Sequence, residues 1–227
     1  MVIYVVLFFF GSTMASFLNV VAMSLPVGQN WWSRRSACLQ CQTVLRPWQL
    51  IPIVSFLIQK GRCRKCRMSI SPVYFVVEIV GGLLFILPFI FPISILYSWL
   101  FFALLLTVSL TDFYFRLVPN KILIAFGIPL FLLQPRLTSA VLGFLFFYGA
   151  ALLGKLLFKK ETIGGGDIKL YFVVGLALSI QGLFLSITIA SASALFFVLF
   201  FVKNKKQEIP FAPFIAFGSL FAYLITS

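Results

Sequence analysis

Long stretches without a charged residue fix the kind of protein that this sequence can form. The first, residues 1–23, carries no charge, and similar stretches recur to the last residue. About 20 consecutive apolar residues are enough for one helix to cross the hydrocarbon core of a bilayer. Hydrophobic residues make up 62% of the chain and charged residues only 10%, whereas about 25% of the residues of a soluble domain are charged. The sequence therefore predicts an all-α polytopic membrane protein.

The apolar stretches predict about eight transmembrane helices. The first crossing, residues 1–23, lacks the basic start of a cleavable signal peptide, so we expect it to be retained. The other crossings are predicted at residues 73–91, 93–111, 121–133, 137–158, 168–180, 182–202 and 210–227.

The basic residues predict how these helices are oriented. A net charge of +13 would fit a nucleic-acid partner if it were taken alone, but the basic side chains lie in the connections between apolar stretches. Lys and Arg collect in the cytoplasmic connections of membrane proteins. Residues 24–71 contain many basic residues and no acid, so we expect them in the cytosol. Every basic residue except Arg136 is then cytosolic, and both termini lie outside. The predicted partner is the lipid bilayer, and no nucleic acid is expected.

All four cysteines of the chain lie in residues 24–71. Cys38 and Cys41 form one CxxC pair, and Cys63 and Cys66 form another. This spacing is typical of a zinc site with four thiolate ligands. A connection with few large apolar clusters cannot build much of a core, and a bound metal would tie its two ends together. We therefore predict a small cytosolic zinc-binding subdomain in this loop.

Two disulfides or four free thiols are the alternatives to zinc. Disulfides are disfavoured in the reducing cytosol, and a closed site of four cysteines leaves no position for a substrate, so the predicted role of the metal is structural. The domain organisation that follows is a first transmembrane helix at 1–23, the zinc-binding subdomain at 24–71 and a seven-helix membrane domain at 72–227.

Two aspartates lie where apolar stretches end or begin. Asp112 directly follows the apolar stretch 93–111. Asp167 directly precedes the apolar stretch 168–180 and comes after three glycines, Gly164, Gly165 and Gly166. The predicted topology puts both carboxylates at the same depth on the cytosolic side. Ionisable groups at membrane depth are functional candidates. We expect the glycines to form an irregular active-site loop that lets a backbone approach closely, and we expect the two aspartates to meet.

A close pair of carboxylates has a defined chemistry. Both cannot ionise easily, so one keeps a proton while the other is charged. An aspartic protease uses this arrangement: the charged carboxylate takes a proton from water, the water attacks a peptide carbonyl, and the protonated carboxyl supplies a proton to the products. Asp112 and Asp167 are therefore the predicted catalytic residues.

Other interpretations of the aspartates stay open at this point. Asp167 could cap a helix N-terminus, where acids are favoured, whereas Asp112 ends a helix and its charge opposes the dipole there. A cation- or proton-coupled transporter could also use paired carboxylates, although inverted repeats are typical of such proteins. A membrane scaffold would need neither aspartate.

A series of short motifs runs through most of the chain in a fixed order. They are ASFLNVV at 15–21 with LP at 25–26, Arg35-Ser36 with the CxxC pairs, IP at 51–52, GRC at 61–63, SISP at 69–72 through Glu78, Asp112 with VPN at 118–120, GGGDIKL at 164–170 and PFAPF at 210–214. In order and spacing they resemble the prepilin peptidases, which are bacterial GxGD-type membrane aspartic proteases that process type IV pilin and pseudopilin precursors.

The resemblance implies a function and a location. It implies removal of a short basic leader from pilin or pseudopilin precursors at the cytosolic face of the bacterial inner membrane, with Asp112 and Asp167 as the catalytic residues. It further implies methylation of the new N-terminus with S-adenosylmethionine, in which we consider Glu78 as a participant or as a structural acid. Ala212 stands where the family usually has glycine. The remaining acids, Glu161 and Glu208, are interpreted as loop charges.

Overall fold

The computed structural model describes residues 2–29, 36–38, 40–91, 93–159, 163–202 and 209–226. Within these ranges the regular structure is helical, and only two isolated β-bridges form. The helices are α1 (Val2–Ser24), α2 (Val54–Ile58), α3 (Pro72–Ile90), α4 (Ile95–Phe115), α5 (Asn120–Leu133), α6 (Leu137–Phe158), α7 (Gly165–Ala177), α8 (Ile180–Phe201) and α9 (Ala212–Thr226), with a 3-10 turn at Pro47–Leu50. All except α2 match the predicted crossings, which confirms the all-α polytopic fold.

Five of these helices, α1, α3, α4, α6 and α8, are long and apolar enough to cross a membrane. Three others are shorter: α5 has 14 residues, α7 has 13 and α9 has 15. At a rise of 1.5 Å per residue they are roughly 20 Å long, which is less than the hydrocarbon thickness of about 30 Å.

The chain forms two compact units, Met1–Pro92 and Ile93–Ser227. In the first unit α1 packs against α3 through small residues: Gly11 faces Gly81 and Phe85, and Gly81 in turn faces Ala15. Any side chain at Gly81 would collide with Ala15. Small residues let transmembrane helices approach closely, because packing rather than hydrophobicity holds them together in lipid.

The second unit is arranged around α4. This helix packs against α5 and α9, while α7 packs against α5 and α6. Side chains of α4 such as Phe101 and Leu104 are fully buried. The Tyr97 hydroxyl donates a hydrogen bond of 2.8 Å to the carbonyl oxygen of Leu176, which ties the C-terminal end of α7 to the opposite end of α4 from Asp112.

The three short helices α5, α7 and α9 all begin at the C-terminal end of α4. Helix α5 follows it after residues 116–119. Gly166, in the first turn of α7, lies against Val118 of that connection, because a Cβ at Gly166 would be 2.9 Å from the Val118 Cβ. The N-terminus of α9 reaches Asp112 itself. Three positive helix ends therefore meet at the end of α4 that carries an acid.

Two helix boundaries differ from the sequence predictions at this end of the unit. Helix α4 does not stop before Asp112 but continues through three uncharged aromatic residues to Phe115, and both Phe113 and Phe115 are exposed. It ends at Arg116, which adopts a left-handed conformation with φ 53°. Helix α7 begins earlier than predicted, at Gly165.

The predicted crossing 168–180 is also wrong at its far end. Helix α7 ends at Ala177 and α8 already begins at Ile180. The reason is Ser179, whose hydroxyl accepts a hydrogen bond of 3.1 Å from the Gly182 N–H and so caps α8. The Arg136 guanidinium, which donates to the Ala177 carbonyl at 3.3 Å, satisfies the end of α7.

Candidate active site and candidate metal centre

The four cysteines come together in the first unit. Their sulfur atoms all lie within 4.8 Å of one another, with 3.9 Å between Cys38 and Cys66 and 3.9 Å between Cys41 and Cys63. A disulfide would need about 2.05 Å. A tetrahedral metal with sulfur ligands at about 2.3 Å separates those sulfurs by roughly 3.8 Å. The described cluster therefore has the ligand set and the spacing of a metal site.

Both CxxC segments adopt the same local structure. The Cys38 N–H donates to the Thr43 carbonyl at 3.0 Å, and the Cys63 N–H donates to the Met68 carbonyl at 2.9 Å. In each segment the residue after the second cysteine has a positive φ. Each turn brings its two thiols towards the same cluster, and backbone N–H groups near Cys41 and Cys63 stabilise the thiolates that can bind a cation.

The thiol pKa values are consistent with that site. Hydrogen bonding with Thr43 lowers the pKa of Cys41 to about 6. Backbone N–H groups of Cys66 and Lys65 lower the pKa of Cys63. The pKa of Cys66 is instead raised to about 11: the Met68 backbone lowers it, but desolvation and the neighbouring thiols outweigh that effect. Like charges so close oppose full ionisation, and a bound cation would relieve this repulsion.

Asp112 is buried in the last turn of α4, with 7% of its surface exposed. Its Oδ2 accepts a hydrogen bond of 2.8 Å from the backbone N–H of Ala212, the first residue of α9. The backbone of Phe211 and the positive charge of Arg116 also act on this carboxylate. The charge of an acid at a helix C-terminus is unfavourable, and the start of α9 compensates for it.

Asp167 lies in the first turn of α7, where its N–H bonds the Gly164 carbonyl at 3.0 Å. The charge of Asp112 acts on Asp167, so the two carboxyl groups share one electrostatic environment. Asp167 is the acid in the first turn of α7, where the positive helix end favours a negative charge. In addition, the structure brings the two predicted aspartates together at the convergence of α4, α7 and α9.

The expected glycine loop is wrong in its conformation. Gly164 is the N-cap of α7, with φ −65°, and Gly165 and Gly166 are helical. None of the three has a positive φ. Gly166 is instead approached closely by the side chain of Val118. These glycines thus permit tight packing of a helix start and do not supply unusual backbone angles.

Glu78 is the buried carboxylate of the first unit, with 9% of its surface exposed. Its Oε1 accepts a hydrogen bond of 2.9 Å from the Ser16 hydroxyl of α1, and its Oε2 accepts one of 2.7 Å from the Ile53 N–H. Ile53 has φ 65° and ψ −55°, and the Val54 N–H bonds the Pro52 carbonyl across it at 2.6 Å. This is a strained γ-turn. Such strain is maintained only where the surroundings enforce it.

Sequence reasoning missed the backbone partners of these carboxylates. Ile53 and Ala212 act through N–H groups, which leave no signature in side-chain chemistry. The available signal was positional: Ile53 directly follows the IP motif at 51–52, and Ala212 lies within the PFAPF motif at 210–214. Arg35, Glu161 and Glu208 lie outside the described residues.

The fold and these sites define a class: a polytopic helical membrane protein with a four-cysteine loop and, in one helical unit, two neighbouring aspartates of which Asp112 is buried and Asp167 half-buried. A model of the bacterial peptidase A24 N-terminal domain matches residues 9–91. A model of the type IV leader peptidase family matches residues 99–199.

Curated relatives agree with these matches. The chain is 37% identical to a prepilin leader peptidase/N-methyltransferase of Bacillus subtilis, over 96% of this chain and 93% of the relative. It is 30% identical to a type 4 prepilin-like proteins leader peptide-processing enzyme of Escherichia coli, over 93% of this chain and 80% of the relative. A prepilin leader peptidase/N-methyltransferase of Pseudomonas aeruginosa is also 30% identical, over 94% of this chain and 87% of the relative. No solved structure matches the chain closely enough to count as a relative.

The chain therefore belongs to the type IV leader peptidase family. This confirms the resemblance noted in the sequence, and it confirms that the protein is a membrane protease. The transporter alternative gains no support from these relatives.

Proposed function

We propose that this protein is a membrane aspartic endopeptidase that removes the leader from type IV pilin or pseudopilin precursors and methylates the new N-terminus. The observation that carries the proposal is the shared environment of Asp112 and Asp167 in the second unit. Relatives that cover nearly the whole chain are named for both activities. The domain at 72–227 is accordingly proposed as the protease domain, preceded by the first helix at 1–23 and the loop subdomain at 24–71.

Cleavage would use the two carboxyl groups in complementary protonation states. The charged carboxylate accepts a proton from a water molecule, and the water oxygen bonds to the peptide carbonyl carbon. The protonated carboxyl donates its proton to the carbonyl oxygen. The tetrahedral species then collapses and the C–N bond breaks. The amine leaves with the proton that the first carboxylate took from water, and the hydroxyl proton of the collapsing species returns to the second carboxylate. Gly164, Gly165 and Gly166 would position Asp167 by allowing α7 to begin against the connection after α4.

We propose that the reaction occurs at the cytosolic face of the bacterial inner membrane. At the aspartate end of the second unit lie the basic residues Arg116, Lys121 and Lys169, and basic residues collect in cytoplasmic connections. Lys169 donates a hydrogen bond of 3.1 Å to the Asn120 side chain. The apolar helices indicate the bilayer as the surroundings of the protein, and no nucleic-acid partner is proposed.

We propose zinc as the metal of the cysteine cluster. Cys38, Cys41, Cys63 and Cys66 would hold it, since four thiolates at these separations suit tetrahedral Zn²⁺. The site would be closed, so the metal would order the loop and would take no part in bond breaking. Its contribution is to join the segments on either side of residues 42–62.

We propose that Glu78 belongs to the methylation half of the function. S-adenosylmethionine carries a positive sulfonium and supplies the methyl group when bound, and the new N-terminus is an amine. Glu78 is the only acid among residues 1–111, and its carboxylate lies between α1, α3 and the Ile53 turn. A cation in the first unit would find its only acidic partner there. Equilibrium binding of S-adenosylmethionine to wild type and Glu78→Gln tests this without turnover.

Cleavage by substituted enzymes tests the proposed function. Asp112→Asn and Asp167→Asn, each purified in detergent, are mixed with a candidate pilin precursor, and the product masses are measured. Loss of general acid–base chemistry lowers the rate about 100- to 10,000-fold. Thermal unfolding confirms that the variants fold. Processing of the precursor at the wild-type rate by either folded variant would refute the assignment.

A further inference from the structure

The carboxylates of Asp112 and Asp167 have different hydrogen-bonding surroundings. Asp112 Oδ2 accepts the 2.8 Å hydrogen bond from the Ala212 N–H, and both residues are buried. Among the described residues no hydrogen bond reaches the carboxylate of Asp167, whose neighbours include the Asp112 charge. Hydrogen bonds from an N–H to a carboxylate favour its charged form. The pair is therefore asymmetric before any substrate binds.

The Ala212 N–H is free to serve Asp112 because of how α9 starts. The first four N–H groups of a helix have no partner within the helix. In α9 the second position is Pro213, which has no N–H, and the N–H groups of Phe214 and Ile215 bond the Phe211 carbonyl. The PFAPF motif thus leaves the N–H of Ala212 available, and that N–H points at Asp112.

The helix dipoles do not remove this asymmetry. Asp112 meets the N-terminus of α9, and Asp167 lies in the first turn of α7, so a positive helix end acts on both. Only Asp112 has the direct N–H donor, and Arg116 places a positive charge near it as well. Lys169, the basic residue two positions after Asp167, is engaged with Asn120.

We propose that the N-terminus of α9, through the Ala212 N–H, holds Asp112 as the charged member of the pair, so that Asp112 takes the proton from water and Asp167 carries the proton that is donated to the peptide. This inference rests on the proposed protease function. Ala212 is a positioning residue that acts through Asp112, and its contribution comes from the backbone. The side chain of Ala212, which is fully buried, matters only for its size.

Proline at position 212 removes the N–H without forcing the helix to unwind. Ala212 is the first residue of α9, and proline is favoured at this position because its fixed φ suits a helix start. Ala212→Val is the matched control, since valine adds similar bulk and keeps the N–H. Replacing the alanine by its α-hydroxy analogue, which turns the 211–212 amide into an ester, removes the N–H with no added atoms.

The experiment measures kcat and KM for cleavage of a precursor peptide with a short basic leader and an apolar segment. We expect Ala212→Pro and the ester variant to lower kcat by about 10- to 100-fold, the effect of losing a hydrogen bond to a charged group. KM should change by less than about threefold, because the donor contacts Asp112 and not the peptide. Ala212→Val should keep kcat within about threefold of the wild-type value, because it retains the N–H.

Each outcome decides the inference. If the ester variant turns over as fast as wild type, the inference is wrong, whatever the proline variant does. If Ala212→Pro unfolds or Ala212→Val is also slow, added bulk is responsible for that loss and the ester variant gives the answer. An active Asp112→Asn variant would instead remove the proposed function, so the two failures are distinguishable.

Discussion

The two units hold their buried carboxylates in the same manner but surround them differently. In the first unit Glu78 accepts the Ile53 N–H at 2.7 Å, and in the second Asp112 accepts the Ala212 N–H at 2.8 Å. In both cases the donor is a backbone group next to a proline-containing motif. The second oxygen of Glu78 meets the Ser16 hydroxyl, whereas Asp112 is accompanied by a second acid, Asp167.

This difference separates two kinds of chemistry. The Glu78 carboxylate accepts hydrogen bonds from a hydroxyl and an N–H, and these two donors stabilise it as an isolated anion. Such an anion can bind a cation or stabilise the fold. Two carboxyl groups in one environment share a proton, and the pair can both accept and donate. The backbone hydrogen bond holds an acid in place in each unit, and the second carboxyl decides whether proton transfer can follow.

The largest expected contrast is between Asp112→Asn and Glu78→Gln. The first should lose cleavage about 100- to 10,000-fold. In the second, the glutamine oxygen can accept the Ile53 N–H and its amide can donate to Ser16, so the fold survives while the charge is lost. We expect cleavage to stay within about threefold of wild type, since no acid–base group is removed, and methylated product to fall. Product masses separate the two activities.

That contrast would break if Glu78→Gln abolished cleavage at unchanged stability. Glu78 would then belong to the protease chemistry, and the two carboxylates would not differ in kind. Wild-type cleavage together with wild-type methylation would leave Glu78 as a structural acid.

The sequence predicts the fold well because apolar length and charge are properties of residue types. From apolar length and charge alone it predicts eight helices, and from the positions of its cysteines and acids it predicts the cysteine cluster and the meeting of Asp112 with Asp167. The glycine conformations at 164–166 were not predictable, because glycine permits loop and helix alike and the start of α7 packs at Gly166 against Val118, which lies far away in the chain. The γ-turn at Ile53 was not predictable either. A β-branched residue is disfavoured at φ 65°, and only tertiary contact with Glu78 accounts for it.

Removal of the metal should affect the first unit and leave the aspartate pair intact. Ile53 lies between the two cysteine pairs, so the cluster helps to order the turn that reaches Glu78. We expect purified wild type to contain zinc and Cys38→Ser to bind it at least about tenfold more weakly, since structural sites need all four ligands. Limited proteolysis within residues 42–62 should accelerate after chelation. A protein without zinc by elemental analysis would contradict the metal assignment.

Gly166→Ala probes the packing that brings Asp167 towards Asp112. The added Cβ would lie 2.9 Å from the Val118 Cβ, and overpacking of this kind costs about 1–3 kcal/mol of unfolding free energy. Gly165→Ala is the matched control, because no atom lies within 4 Å of a Cβ there. Denaturant unfolding in detergent measures both. Equal stability of the two variants would show that Val118 does not constrain the start of α7.

Ser16→Ala gives the smallest expected effect and tests the side-chain donor to Glu78 that the described part of the chain provides. Loss of the 2.9 Å hydrogen bond should lower the unfolding free energy by about 1 kcal/mol, since the carboxylate keeps its Ile53 donor. Thr13→Ala, one turn earlier on α1, is the control because its hydroxyl bonds only the Phe9 carbonyl of its own helix. If Ser16→Ala is no less stable than Thr13→Ala, the Ile53 N–H alone holds Glu78. Each unit would then hold its acid through a backbone N–H and no side-chain donor would contribute.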